Sequence, residues 1–170
     1  MTDSMKITFV LPIADTSGGV RVVGIYAERL AARGHDVRVV SGMRDYGLKD
    51  RLRNLKNGRG FSKYLPAVSS HIAGVPHTVL RKSAGVTDAD VPDADVVVAT
   101  WWATAPPVAR LSPQKGAKFY MIQHDEREIC NAGQAVVDTW HLPLNKVVIA
   151  GWLEPLLRGE GVTGDIEVIP

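Results

Sequence analysis

An unbroken, β-rich apolar run opens the chain at residues 6–11 (KITFVL) and constrains everything after it. A run without polar alternation suits a strand buried on both faces, as in a parallel sheet. A glycine-rich turn, PIADTSGG, follows at residues 12–19. Next, Val20, Val23, Ala27, Leu30 and Ala31 recur at helical spacing, which predicts a helix over 20–33. Ser17 stands where its N-cap belongs and Gly34 where its C-terminal glycine belongs. A second apolar run, DVRVVS, occupies residues 36–41. Strand, glycine turn, helix and strand make a βαβ unit.

The same alternation continues. Further strands are expected over 76–80, 95–100, 117–123, 146–150 and 166–169, and helices over 48–55, 103–111, 126–140 and 152–158. Pro106 and Pro107 are compatible with a helix only in its first turn, and Gly133 should interrupt the helix over 126–140. Residues 58–66 read as loop. The expected fold is therefore α/β: a Rossmann-like, doubly wound, mostly parallel sheet with helices on both faces. The 170 residues amount to about one domain.

Composition narrows the function classes. One cysteine, Cys130, allows no disulfide within the chain, which suits a reducing, cytoplasmic location. Cys130 itself reads as a small buried hydrophobe rather than a nucleophile. Net charge is +2, so nothing calls for nucleic acid as a partner. No apolar run reaches the roughly twenty residues of a membrane span, and the N-terminus lacks the pattern of a signal peptide. One local cluster, Lys49, Arg51, Arg53, Lys56, Arg59 and Lys63, suits an anionic membrane surface or a phosphate-bearing acceptor as well as a plain solvated face.

Three segments sit where such folds bind ligands, at the carboxyl ends of strands. The first is Ser17-Gly18-Gly19, where a helix start offers free N–H groups to an anion and glycine permits close approach. The second is Gln123-His124-Asp125-Glu126, with His124 able to hydrogen-bond a hydroxyl or move a proton near neutral pH. The third is Thr100-Trp101-Trp102, whose indoles can stack on sugars or rings, one of the two being expected to pack inward instead. The remaining histidines show no metal-ligand spacing, and neither a P-loop nor G-x-G-x-x-G is present.

In order and type, these segments resemble family 4 glycosyltransferases of the GT-B type. The resemblance is carried by MKITFVLPIADTSGGVRVVGIYAERLAARGHDVRVVS, by FYMIQHDE at residues 119–126, and by LPLNKVVIAGWLEPLLRGEGVTGDIEVIP at residues 142–170. It implies retaining transfer of a sugar from a nucleotide-sugar to a glycan, lipid or other acceptor, in polysaccharide or glycoconjugate synthesis, without a metal or other cofactor. By the same resemblance Gly18 and Gly19 approach the donor diphosphate and sugar, and His124 contacts the donor sugar as the catalytic-site histidine. Trp101, Trp102, Asp125 and Glu126 fall on the acceptor side. The family's C-terminal donor-binding half, with its E-x7-E motif, has no counterpart here. The chain ends at Pro170 directly after a strand, so residues 1–170 are expected to be an acceptor-side domain, inactive alone. Ala150-Gly151 replace a serine common in the family, which takes that loop out of the expected contacts.

Two other readings compete. A Rossmann-type sugar epimerase or dehydrogenase would need the dinucleotide fingerprint and an acidic residue closing the second strand, which ends in Val40 and Ser41. A non-catalytic flavodoxin-like binding domain would place acidic residues at two strand ends, whereas the first loop offers only Asp15.

Overall fold

The computed structural model describes residues 3–169 apart from residues 66, 68, 84 and 131; the Cys130 side chain also lies outside the described set. Along the chain run β1 (Lys6–Leu11), α1 (Gly18–Ala32), β2 (Asp36–Ser41), β3 (Arg44–Asp45), α2 (Leu48–Lys56), β4 (Tyr64–Leu65) and β5 (His77–Val79). There follow β6 (Val96–Ala99), a 3-10 turn at Trp102–Thr104, α3 (Ala105–Ala109), a second such turn at Pro113–Lys115, and β7 (Ala117–Ile122). The chain finishes with α4 (Glu126–Cys130), α5 (Gly133–Trp140), β8 (Asn145–Val148), α6 (Leu153–Gly159) and β9 (Ile166–Val168).

Seven strands form one sheet in the order β5-β2-β1-β6-β7-β8-β9, and every pairing is parallel. Helices lie on both faces, so the architecture is the doubly wound α/β fold. Side chains alternate across the strands. Ile7, Phe9 and Leu11 of β1 join Val37 and Val39 of β2 beneath Val20, Val23 and Ala27 of α1. Val10, Val40, Val97, Ala99, Tyr120, Ile122 and Val148 face the other way, against Val108, Val136, Trp140, Leu153 and Leu157 of α3, α5 and α6. Burying each such side chain contributes about 1.5–3 kcal/mol relative to leaving it exposed. Continuous apolar strands therefore favour cover on both faces; beside α1, Phe9, Val98, Phe119 and Met121 line an apolar groove of about 440 Å³.

Sheet order reverses between β1 and β6, and the chain leaves these two strands toward opposite faces. The reversal is tied at its carboxyl end by the Thr100 hydroxyl, which donates to the Val10 carbonyl at 2.9 Å. Strands and helices fall close to their expected positions, with instructive differences. The expected helix over 126–140 divides into α4 and α5 around Gly133, and α3 is preceded by a 3-10 turn that keeps both prolines near its start. Part of the expected loop over 58–66 is β4, a two-residue strand antiparallel to β3. So short a pairing carries no periodic signal.

Gly116 is fixed by both conformation and space. Its φ of 84° and ψ of −169° lie in a region nearly closed to other residues. A Cβ there would also stand 2.3 Å from the Asp95 carbonyl carbon. Gly116→Ala should therefore cost about 3 kcal/mol or more. Gly58→Ala, at φ 72° with open space around it, should cost only about 1 kcal/mol. Urea denaturation separates the two; equal losses would contradict the tight β6–β7 approach described here.

Candidate functional site

The cleft forms where β1, β6 and β7 release the chain. Its lining includes Pro12, Ile13, Gly18, Gly19, Trp101 and His124, and its volume is about 560 Å³. Each wall follows from local structure. After β1, Asp15 accepts the Ser17 N–H at 2.9 Å, closing a tight turn that starts α1 at Gly18. Ser17 has extended N-cap backbone, but its side chain makes no cap hydrogen bond, and the first turn of α1 carries no acidic residue. The first turn of this 15-residue helix therefore has no side-chain cap, the nearest carboxylate being Asp15 at the Ser17 N–H. A Cβ at Gly18 would meet nothing within 4 Å, and one at Gly19 would lie 3.5 Å from the Gln123 side chain. Neither glycine is demanded by packing within the domain.

After β6, the backbone separates the two tryptophans. Trp101 is extended, and its N–H and that of Thr100 both donate to the Thr104 hydroxyl. The Trp102 N–H donates to Glu126 Oε2 at 2.7 Å. Pinned this way, Trp101 lines the cleft while Trp102 packs against the core of α3, α5 and α6.

After β7, Gln123 reaches back through Nε2 to the Thr100 carbonyl at 3.3 Å, joining the two strand ends. His124 is exposed and lines the cleft. Its Nδ1 lies 3.0 Å from the Asp125 carbonyl. A carbonyl only accepts, so Nδ1 carries a proton and, in the neutral ring, Nε2 is the acceptor. The ring meets Trp152 edge to face at 5.7 Å, which holds its plane.

The structure thus brings Gly18, Gly19, Trp101 and His124 to one cleft. It sets Trp102, Asp125 and Glu126 apart from the lining. The Asp125 carboxylate is gripped in fork geometry by Arg127, at 2.8 and 2.7 Å, and this bond holds its pKa below the usual carboxylate range. Arg127 also bonds Glu160 at the end of α6 and lies over the Trp140 ring at 5.2 Å. Glu126 is 1% exposed. Burial pushes its carboxyl up to about 8, against the downward pull of the Trp102 N–H and the Tyr120 hydroxyl. At neutral pH it is mainly protonated. It braces the tryptophan turn rather than reaching into the cleft.

A second recess, of about 240 Å³, opens beside the end of β2, where Ser41 Oγ and His77 Nε2 lie 2.9 Å apart. Burial lowers the His77 pKa, which favours the neutral ring. No sequence signal joins these residues, which meet only through β2–β5 pairing. Between the two recesses, Asp15, Thr16, Arg44, Tyr46 and Arg59 line a polar pocket of about 270 Å³. Among the described residues no group of three or more His, Cys, Asp or Glu side chains is placed to hold a metal ion, and no helix is long and apolar enough to cross a membrane. No protein-family model matches the chain, and neither a curated protein nor a solved structure matches it.

The Glu126 site yields a pH signature. The folded protein holds a proton that the unfolded chain releases above about 4.5, so stability contributed by this group falls as pH rises from about 4.5 to 8 and is flat beyond. Glu126→Gln removes that slope. Urea denaturation at pH 5, 6.5 and 8 should show the wild type losing stability relative to the variant as pH rises; a pH-independent difference would contradict the buried, protonated carboxyl.

Proposed function

We propose that this chain is the acceptor-side domain of a retaining, GT-B-type glycosyltransferase acting in the cytoplasm, and that the cleft takes the diphosphate and sugar of a nucleotide-sugar donor. The observation that carries the reading is the start of α1 at Gly18-Gly19, without a cap from the Ser17 side chain and in the same cleft as His124 and Trp101.

In sugar transfer, the bond from the anomeric carbon to the diphosphate oxygen breaks. A bond to an acceptor oxygen forms, and the acceptor proton ends on the departing phosphate. Negative charge grows on that phosphate in the transition state, and oriented N–H donors at a helix start stabilise it without reorganising. With Nδ1 committed to the Asp125 carbonyl, neutral His124 offers Nε2 to a sugar hydroxyl. Trp101 offers an apolar surface to a sugar face. The cleft is open on one side, and catalysis of this kind gains from excluding water. A second, donor-binding domain closing over it completes the proposal. The absence of G-x-G-x-x-G and of an acidic residue at the end of β2 favours this assignment over a dinucleotide-dependent enzyme.

In a protein carrying both halves, His124→Ala should lower kcat/KM for sugar transfer by about a hundredfold. Gly18→Ala should weaken donor binding on the order of tenfold. Neither should lower the melting temperature, since His124 is exposed and a Cβ at Gly18 meets open space. Steady-state kinetics beside thermal melts tests this. Unaltered kinetics in both variants, or cofactor-dependent oxidation of a sugar nucleotide in place of transfer, would overturn the assignment.

A further inference from the structure

Helix α2 is amphipathic but mounted inside out. Asn54 is its buried residue, and Arg51 beside it is half-buried. The leucines face solvent instead: Leu48 is 64% exposed, Leu52 49% and Leu55 54%. Their spacing of four and three residues puts them in one stripe along the helix. Lys49, Arg53 and Lys56, each one residue further on, form a parallel basic stripe beside it. Phe61, 43% exposed, follows the helix with the Arg51 guanidinium 4.2 Å above its ring.

Charge is concentrated in the same place. From residue 44 to 63 there are seven basic and two acidic residues, a net +5 against +2 for the whole chain, so the remainder is net acidic. The two acidic groups are already engaged, Asp50 with Arg53 at 2.7 Å and Asp45 with Lys63 at 3.7 Å. The segment is clamped at its base by the β3–β4 pair and by the Tyr46 N–H bonded to the Lys63 carbonyl at 2.9 Å. It follows the carboxyl end of β2. Arg44, Tyr46 and Arg59 line the polar pocket that shares Ile13 and Asp15 with the main cleft.

We propose that α2 docks on an anionic lipid bilayer, its leucine stripe entering the headgroup–acyl boundary and its basic stripe meeting lipid phosphates. Apolar area alone would suit several occupants. An apolar stripe edged lengthwise by cations is the pattern that lies in an anionic membrane surface. Docking would hold the cleft beside the bilayer. The inference stands whether or not the cleft transfers sugar, because its readout is lipid binding.

The test is co-sedimentation of the chain with vesicles of phosphatidylcholine, with and without phosphatidylglycerol. Expected is binding to the phosphatidylglycerol vesicles that weakens at high salt. The triple change L48S, L52S, L55S should lower affinity by at least about tenfold, and R53E with K56E by about as much. All of these positions are exposed, so circular dichroism and melting should match the wild type. Failure of the wild-type chain to bind anionic vesicles would overturn the proposal. So would equal binding by the leucine variant, or concentration-dependent self-association through α2 in analytical ultracentrifugation that blocks vesicle binding.

Discussion

A parallel sheet flanked by helices leaves its polar chemistry mainly to the rim where its strands end. That restriction organises this molecule. Ile7, Phe9 and Leu11 commit one face of β1 to α1, and Val10 commits the other to the opposite helical layer. Neighbouring loops part at the reversal of strand order between β1 and β6. Gly18, Trp101 and His124 come from three separate strand ends, and the sheet brings them to one cleft.

The cleft is held by groups that do not enter it. Glu126, buried and mainly protonated, fixes the tryptophan turn through the Trp102 N–H. Arg127 draws Asp125, Glu160 and the Trp140 face together, joining the loop that carries His124 to the end of α6. The carbonyl of Asp125 sets which nitrogen of His124 is free. Rigid support of this kind lets a few exposed groups hold a geometry that solvent would otherwise blur.

Much of the fold was legible because its signals are local. The runs over 6–11 and 36–41 are strands with the bounds their apolar pattern marks, since burial on both faces leaves that pattern unbroken. The division just before Gly133 and the placement of the two prolines in α3 follow from backbone chemistry alone. The candidate site was legible only by position. Sequence reading could place Trp101 and Trp102 at a strand end, but which indole turns outward depends on Glu126, a residue whose charge argued for exposure. The sequence leaves the Asp125 carboxylate available, whereas Arg127, two residues on, occupies it. Ser41 and His77 meet only through sheet pairing. The outward face of α2 was hidden for a similar reason: periodicity shows that a helix has an apolar stripe, not which way it points.

The proposal places a nucleotide-sugar at the strand-order reversal, with its diphosphate at the start of α1. Amide NMR of the isotopically labelled chain, titrated with a panel of nucleotide-sugars, tests it most directly. The account requires that a binding donor shift the signals of Gly18, Gly19, Thr100, Trp101 and His124 together while α6 and the far edge of the sheet stay still. Shifts centred on Ser41 and His77, or none for any donor at millimolar concentration, would contradict it.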